Sequence, residues 1–291
     1  MPDFPIIDTH LHIWDMNQLK YSAFEGHPLF GKSYLIEDYQ RHSAELEIEA
    51  MVFLECYADF NDNGGQYIEE IEFAEESAKR DPRIKGIVPM APLEWGARVQ
   101  PMLEQMQAKH PSVKGIRRII EFDDDPRSLT LSPSFIEGVN LLHKFGWHFE
   151  INVNFTQMDI IRDFVQHIPD VPMILDHCGK PGIKEGAIHQ YRDDIHDLAQ
   201  HPNIWIKLSD LPACANTKSW AENDIRPYID ATVEVFGFDR TIFAGDWPIC
   251  LQATSLTRWV ETLDRAFAGA SKTELRNFYR DNANNFYRLG L

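Results

Sequence analysis

His10 and His12 stand two residues apart in THLH, at the end of the first apolar run of the chain. In an extended strand, residues i and i+2 share a face. Two imidazoles so placed can bind one metal ion or point two ring nitrogens at one oxygen. A second stretch, LDHCGKP, sets Asp176 and His177 just ahead of Gly179, Lys180 and Pro181, so the chain turns away directly after the histidine. The third is GDWP, where Asp246 closes another apolar run. A carboxylate there can be a general base, a metal ligand or a helix cap. Taken singly, each stretch also reads as polar strand ends, a capping Asp176 and a surface His177. Only an architecture that brings the three to one place turns them into a site.

The spacing of apolar runs supplies one. Strands are expected at about 5–10, 50–55, 85–90, 113–118, 147–153, 172–177, 203–209 and 241–246. Helical patterns lie between them at 66–80, 97–109, 134–145, 157–167, 187–200 and 224–236. Pro82, Pro111 and Pro202 follow three of these helices, where proline stops a helix. Strands alternating with helices predict an α/β fold with a parallel sheet. Eight such units in 291 residues predict a (β/α)8 TIM barrel, with residues 1–291 forming a single domain. A doubly wound open sheet would carry a Gly-rich phosphate turn after its first strand; here that strand ends in THLH. In a barrel, the ends of strands one, six and eight meet at the C-terminal face, where barrel enzymes keep their sites.

Two strands alternate clearly. Trp147, Phe149, Ile151 and Val153 interleave with His148, Glu150, Asn152 and Asn154, and Ile204, Ile206 and Leu208 interleave with Trp205, Lys207 and Ser209. The apolar set suits the helix-covered outside, which aims the polar set inward, where such groups must be paired or wet. An inward Lys207 needs a carboxylate, and Glu150 and Asp210 are the candidates. The longest irregular stretches, about 13–35 and 208–223, follow strands one and seven at the expected substrate face.

Composition narrows the classes. Hydrophobic residues are 44% and charged residues 25% of the chain, ordinary for a globular protein. The formal charge of −17 argues against binding to nucleic acid or an anionic membrane, since both attract basic faces. No stretch nears about 18 uncharged apolar residues, and the N-terminus has no secretory pattern. Cys56, Cys178, Cys214 and Cys250 form no C-x-x-C pair, so free thiols in a cytoplasmic protein are expected.

THLH, LDHCGKP and GDWP together resemble the amidohydrolase superfamily, in its amidohydrolase-2 branch of lactone hydrolases. That branch includes sugar-acid lactonases, such as those acting on L-fuconolactone and L-rhamnonolactone, and 2-pyrone-4,6-dicarboxylate lactonase. The resemblance runs from strand one to the C-terminus and includes FLECYAD, DPRIKGIVPMAPLE, VKGIRRII and IKLSDL. It implies that His10, His12 and His177 hold the substrate carbonyl or a metal, and that Asp246 activates water. It further implies that Arg117 contacts substrate, with Glu55 and Lys180 beside it, while Arg118 faces the other way. Asn152, Trp14 and Trp247 are added as substrate-binding candidates, the two indoles as a wall stacked on a ring. Many metal-dependent members carry a strand-four lysine and a strand-five histidine. Here strand four ends in Arg117-Arg118, strand five ends in Asn152-Val153-Asn154, and His148 sits at the far end of its strand. A two-metal site is therefore not expected. One divalent ion, zinc for instance, could sit among His10, His12, Glu55, His177 and Asp246, and none is obligatory.

Ester hydrolysis needs a nucleophilic water, a base and a stabiliser for the oxyanion. The expected reaction is lactone opening by Asp246-activated water, with the carbonyl polarised by histidines or one metal. No G-x-S-x-G elbow is present for a covalent route. The partner expected is a small lactone, on a monomer or small homo-oligomer. The rival readings are a zinc-dependent decarboxylase of an aromatic or enol acid on the same barrel, a 2-pyrone-4,6-dicarboxylate lactonase, and a sugar-acid binding protein on a disabled barrel.

Overall fold

In the computed structural model, which describes residues 2–59 and 65–291, eight parallel strands form a ring. They are β1 (Ile6–Leu11), β2 (Ile48–Leu54), β3 (Ile84–Val88), β4 (Gly115–Ile119), β5 (His148–Asn152), β6 (Met173–Leu175), β7 (Ile204–Leu208) and β8 (Thr241–Phe243). Continuous ladders run β1-β2-β3 and β4-β5-β6-β7-β8. Parallel bridges Ile87–Val113 and Met90–Arg117 close one seam, and Leu11–Trp247 closes the other. This is the expected α/β barrel, wrapped by helices such as Gly65–Arg80, Gln100–Lys109, Pro133–Phe145, Ile188–Ala199 and Glu222–Phe236. No helix among the described residues is long and apolar enough to cross a membrane.

The outer faces of β5 and β7 pack as the alternation predicts. Phe149, Ile151, Val153, Ile204, Ile206 and Leu208 join the core between strands and helices. Inside the ring, a separate apolar layer of Ile7, Val52, Ile174 and Ile242 is plugged by Phe286 and Tyr287 of the C-terminal helix Asn282–Tyr287. Trp205 packs on this layer.

Above it lies a layer of buried charges. The Lys207 ammonium contacts Glu150 and lies 3.1 Å from Asp176 Oδ1. Asp210, the other expected partner, is not among its contacts; Asp176 takes that place because it projects into the barrel instead of capping a turn. Tyr287 Oη donates to Glu150 Oε1 at 2.9 Å, and His148 Nε2 lies 3.1 Å from the same oxygen. Arg117 donates from Nε to Glu55 Oε1 at 2.7 Å, from Nη2 to the Glu55 carbonyl at 2.8 Å, and from Nη1 to Asp176 Oδ2 at 3.3 Å. Acids and bases thus alternate through the interior, which is what allows charges to be buried there at all.

Strands six and eight are shorter than the expected 172–177 and 241–246. β6 yields at Asp176 to a tight turn in which His177 and Cys178 take left-handed conformations. β8 ends at Phe243 because the buried Asp8 carboxylate captures the next free donor: Oδ1 accepts from Gly245 N–H at 2.7 Å and from His10 N–H at 3.1 Å. Tyr39 Oη donates to Oδ2 at 2.8 Å. A Cβ at Gly245 would stand 2.4 Å from that carboxylate, so the close approach requires glycine. His177 and Asp246 therefore leave on turns just past their strands rather than in register with them.

Candidate active site

The turns converge. His10 Nε2 and His12 Nε2 are 3.0 Å apart, and each lies 3.5 Å from Asp246 Oδ1. His177 Nδ1 lies 3.8 Å from Asp246 Oδ2 and 2.9 Å from Ser209 Oγ. All four residues are buried. Burial pushes the three imidazoles well below the usual histidine range, so they are neutral. Burial, reinforced by the charge of Asp210, lifts Asp246 well above the usual carboxylate range.

Neutrality fixes the tautomer of His12. His12 Nδ1 lies 3.1 Å from the Leu54 carbonyl, which can only accept, so Nδ1 carries the proton and Nε2 a lone pair. His10 Nε2 lies 3.0 Å from that lone pair and 3.1 Å from the Arg117 Nη1 donor. His10 Nδ1 faces the Lys207 ammonium at 3.2 Å, so cationic donors approach both ring nitrogens of His10.

A cavity of about 370 Å³ opens above these groups. His12, His177, Asp246, Arg117, Glu55, Lys180 and Asn152 all line it, so most of the expected site residues meet on one wall. His10 lies just behind His12. Neither cation on the wall is unpaired: Arg117 is held by Glu55 and Asp176, and Lys180 by Glu121. Asn152 Oδ1 is buried without a hydrogen-bond partner.

Trp14 and Trp247 are not on the wall. Trp14 is fully buried behind it, its Nε1 donating to the Lys32 carbonyl at 2.7 Å and its ring packed on Phe24 and Tyr34. Trp247 packs edge-on against Tyr34 and Tyr39. Adjacency to a motif misplaced both: the side chain next to Asp246 points away from it, and Trp14 lies past the end of β1, where its backbone pairs with Tyr34 instead of continuing the strand. The aromatic surface comes instead from Phe24 and Phe30 of the long loop after β1, with Tyr57 and Phe122 from the loops after β2 and β4. Asp210, treated above only as a partner for Lys207, is also on the wall. Its place at the end of β7 repeats that of Asp246 after β8, and that repetition was the available signal.

The donor set suits one divalent ion. One ligand atom from each of His10, His177 and Asp246 lies within 4.8 Å of the others, a nitrogen and oxygen set acceptable to zinc. A second group, His10, Glu150 and Asp176, has the same spread, but the Lys207 ammonium already stands among its three members.

Comparison with known proteins shows the family and the fold. The amidohydrolase family model Amidohydro_2 matches residues 7–289. The L-rhamnono-gamma-lactonase of Scheffersomyces stipitis is 24% identical, covering 99% of this chain and all of its own. The L-fucono-1,5-lactonase of Burkholderia multivorans is 26% identical over 88% of each chain. A zinc-bound amidohydrolase from Burkholderia multivorans superposes with a TM-score of 0.85 at 23% identity, covering 98% of this chain and 99% of its own.

Proposed function

The chain belongs to the amidohydrolase family, and from that premise we propose that it is a hydrolase that opens the ring of a neutral sugar-acid lactone with water activated by Asp246. The observation that carries this reading is the Asp246 carboxylate set 3.5 Å from both His10 and His12 at the floor of a closed-backed cavity. The names of the rhamnonolactone and fuconolactone relatives point to the same class of substrate.

Asp246 removes a proton from water as the water adds to the lactone carbonyl. Burial raises its proton affinity, which makes the ionised carboxylate a stronger base. His177, whose Nδ1 lies 2.9 Å from Ser209 Oγ, turns its Nε2 N–H to the carbonyl oxygen and holds the oxyanion. Asp246 then returns its proton to the departing ring oxygen, so the hydroxy acid leaves with the enzyme unchanged. His10, His177 and Asp246 are the residues that would hold a divalent ion, which when bound supplies Lewis-acid polarisation and a more acidic water. Lys207 fills the place of a second ion, so elemental analysis should find no more than one metal per chain. Activity should survive chelation at least in part, because the base and the polarising imidazole belong to the protein. Two tightly held metals would contradict this.

The charge balance selects against a dicarboxylate. Both wall cations are already paired, while Glu55, Asp210 and Asp246 share the wall, and an added unpaired carboxylate is costly to bury. Of the loop cations that could have altered this balance, Lys20 pairs with Asp59 and Arg127 with Asp159 and Asp163, while Lys32 stands over the Tyr34 ring. The test is a pH-indicator screen of L-fucono-, L-rhamnono- and D-galactonolactones against 2-pyrone-4,6-dicarboxylate. Turnover is expected on the neutral lactones, with the higher kcat/KM. A hundredfold preference for the dicarboxylate, about 2.7 kcal/mol in transition-state binding, would refute the charge argument.

A further inference from the structure

Asp210 is held in a costly way for no structural gain. It adopts a left-handed backbone (φ 58°), which disfavours residues other than glycine, asparagine and aspartate. It stands at the N-cap of the short helix Leu211–Cys214, yet its side chain makes no capping hydrogen bond. Its backbone carbonyl alone accepts from Ala213 and Cys214 N–H, at 3.0 and 3.3 Å. The side chain faces the cavity, with Oδ1 buried and unpartnered. Asn152, on β5, presents a second such oxygen to the same cavity. The two residues are only 7% and 4% exposed, so water compensates little for the missing bonds. Two buried acceptors on one cavity call for two donors on the ligand. The cavity also has an aromatic side: Phe24 and Phe30 lie on the β1 side, and Phe122, 65% exposed, stands at the rim beside Tyr57. Aromatic faces take C–H edges, not hydroxyl groups seeking acceptors.

Resting on the lactonase reading, we infer that Asp210 and Asn152 determine substrate specificity by accepting hydrogen bonds from two hydroxyl groups of the lactone, while Phe24, Phe30 and Phe122 receive an edge that carries only C–H groups. The substrate class is then a lactone hydroxylated on one side and deoxy or methyl-bearing on the other. A site built around a substrate hydroxyl rejects the analogue that lacks it far more strongly than an apolar pocket discriminates by size.

The test compares a deoxy-sugar 1,5-lactone with δ-valerolactone, which has the ring but no hydroxyl groups. Wild type should favour the hydroxylated lactone by about a hundredfold or more in kcat/KM. Asp210→Ala and Asn152→Ala should each reduce that ratio by about tenfold or more, chiefly through KM, since each removes an acceptor. Asp210→Asn retains an oxygen acceptor and should restore most of the ratio lost in Asp210→Ala, whereas a purely structural role would lower both substrates together and leave the ratio unchanged. An unchanged ratio in both alanine variants overturns the inference. Failure of the lactonase reading shows separately, as absence of turnover on every lactone. The inference is then read by calorimetry on Asp246→Asn protein. A preference in Kd for the hydroxylated lactone that disappears with Asp210→Ala supports it, and equal affinities overturn it.

Discussion

Asp246→Asn should lower kcat on a sugar lactone by about 10²–10⁴-fold, the usual effect of losing a general base. The amide keeps the shape of the carboxylate but cannot take the proton from water. Its backbone carbonyl, which accepts from Cys250 N–H at 2.8 Å, is untouched, so the turn after β8 stays in place. The carboxylate is buried among other acids and its ionised form is disfavoured there. Removing that charge should therefore leave the melting temperature unchanged or slightly raised. Initial rates and a melting curve on the same preparation separate chemistry from folding. A variant within a few-fold of wild type would remove Asp246 from the role assigned to it.

The second large effect is on stability. Arg117→Met should destabilise the barrel by about 3–5 kcal/mol, the cost of breaking one side of a buried ion pair. The guanidinium joins Glu55 on β2's end to Asp176 on β6's end and spans the β3–β4 seam, which few backbone bonds close. Without it, Glu55 keeps a buried charge with no cationic partner among the described contacts. Adding Glu55→Gln should recover part of the loss, because the stranded charge goes with it. Denaturant titration of the two single variants and the double variant checks this. An Arg117→Met protein as stable as wild type would show that the interior charges are wetter and more replaceable than their burial implies.

Much of the architecture could be read from the chain because barrel strands have a simple period. The alternation around Phe149 and Ile206 showed which side chains face outward, and the position of THLH, LDHCGKP and GDWP after apolar runs showed which end of the barrel carries the histidines and Asp246. What could not be read was pairing across the ring. Periodicity aims Lys207 inward but does not say that Asp176, 31 residues earlier, projects to meet it at 3.1 Å while Asp210 does not. The length of β8 escaped for a similar reason: Asp8, more than two hundred residues away, takes the Gly245 N–H, while β6 gives way to the left-handed turn at His177 and Cys178. Trp14 and Trp247 were placed by their neighbours in the sequence, whereas burial in the outer core decided where their rings went. The aromatic rim drawn from Phe24, Phe30 and Phe122 lies on loops, whose course no local pattern specifies.

The central claim is that water, made nucleophilic by Asp246, adds to the carbonyl of a neutral sugar lactone. The most direct measurement is a single turnover of such a lactone, with enzyme in excess, in water carrying the heavy oxygen isotope. The account predicts ring opening with one solvent oxygen in the carboxylate of the hydroxy acid from the first turnover, and none in the newly freed hydroxyl group. No ring opening, release of carbon dioxide, or a first-turnover acid whose new oxygen came from the enzyme instead of solvent would contradict it.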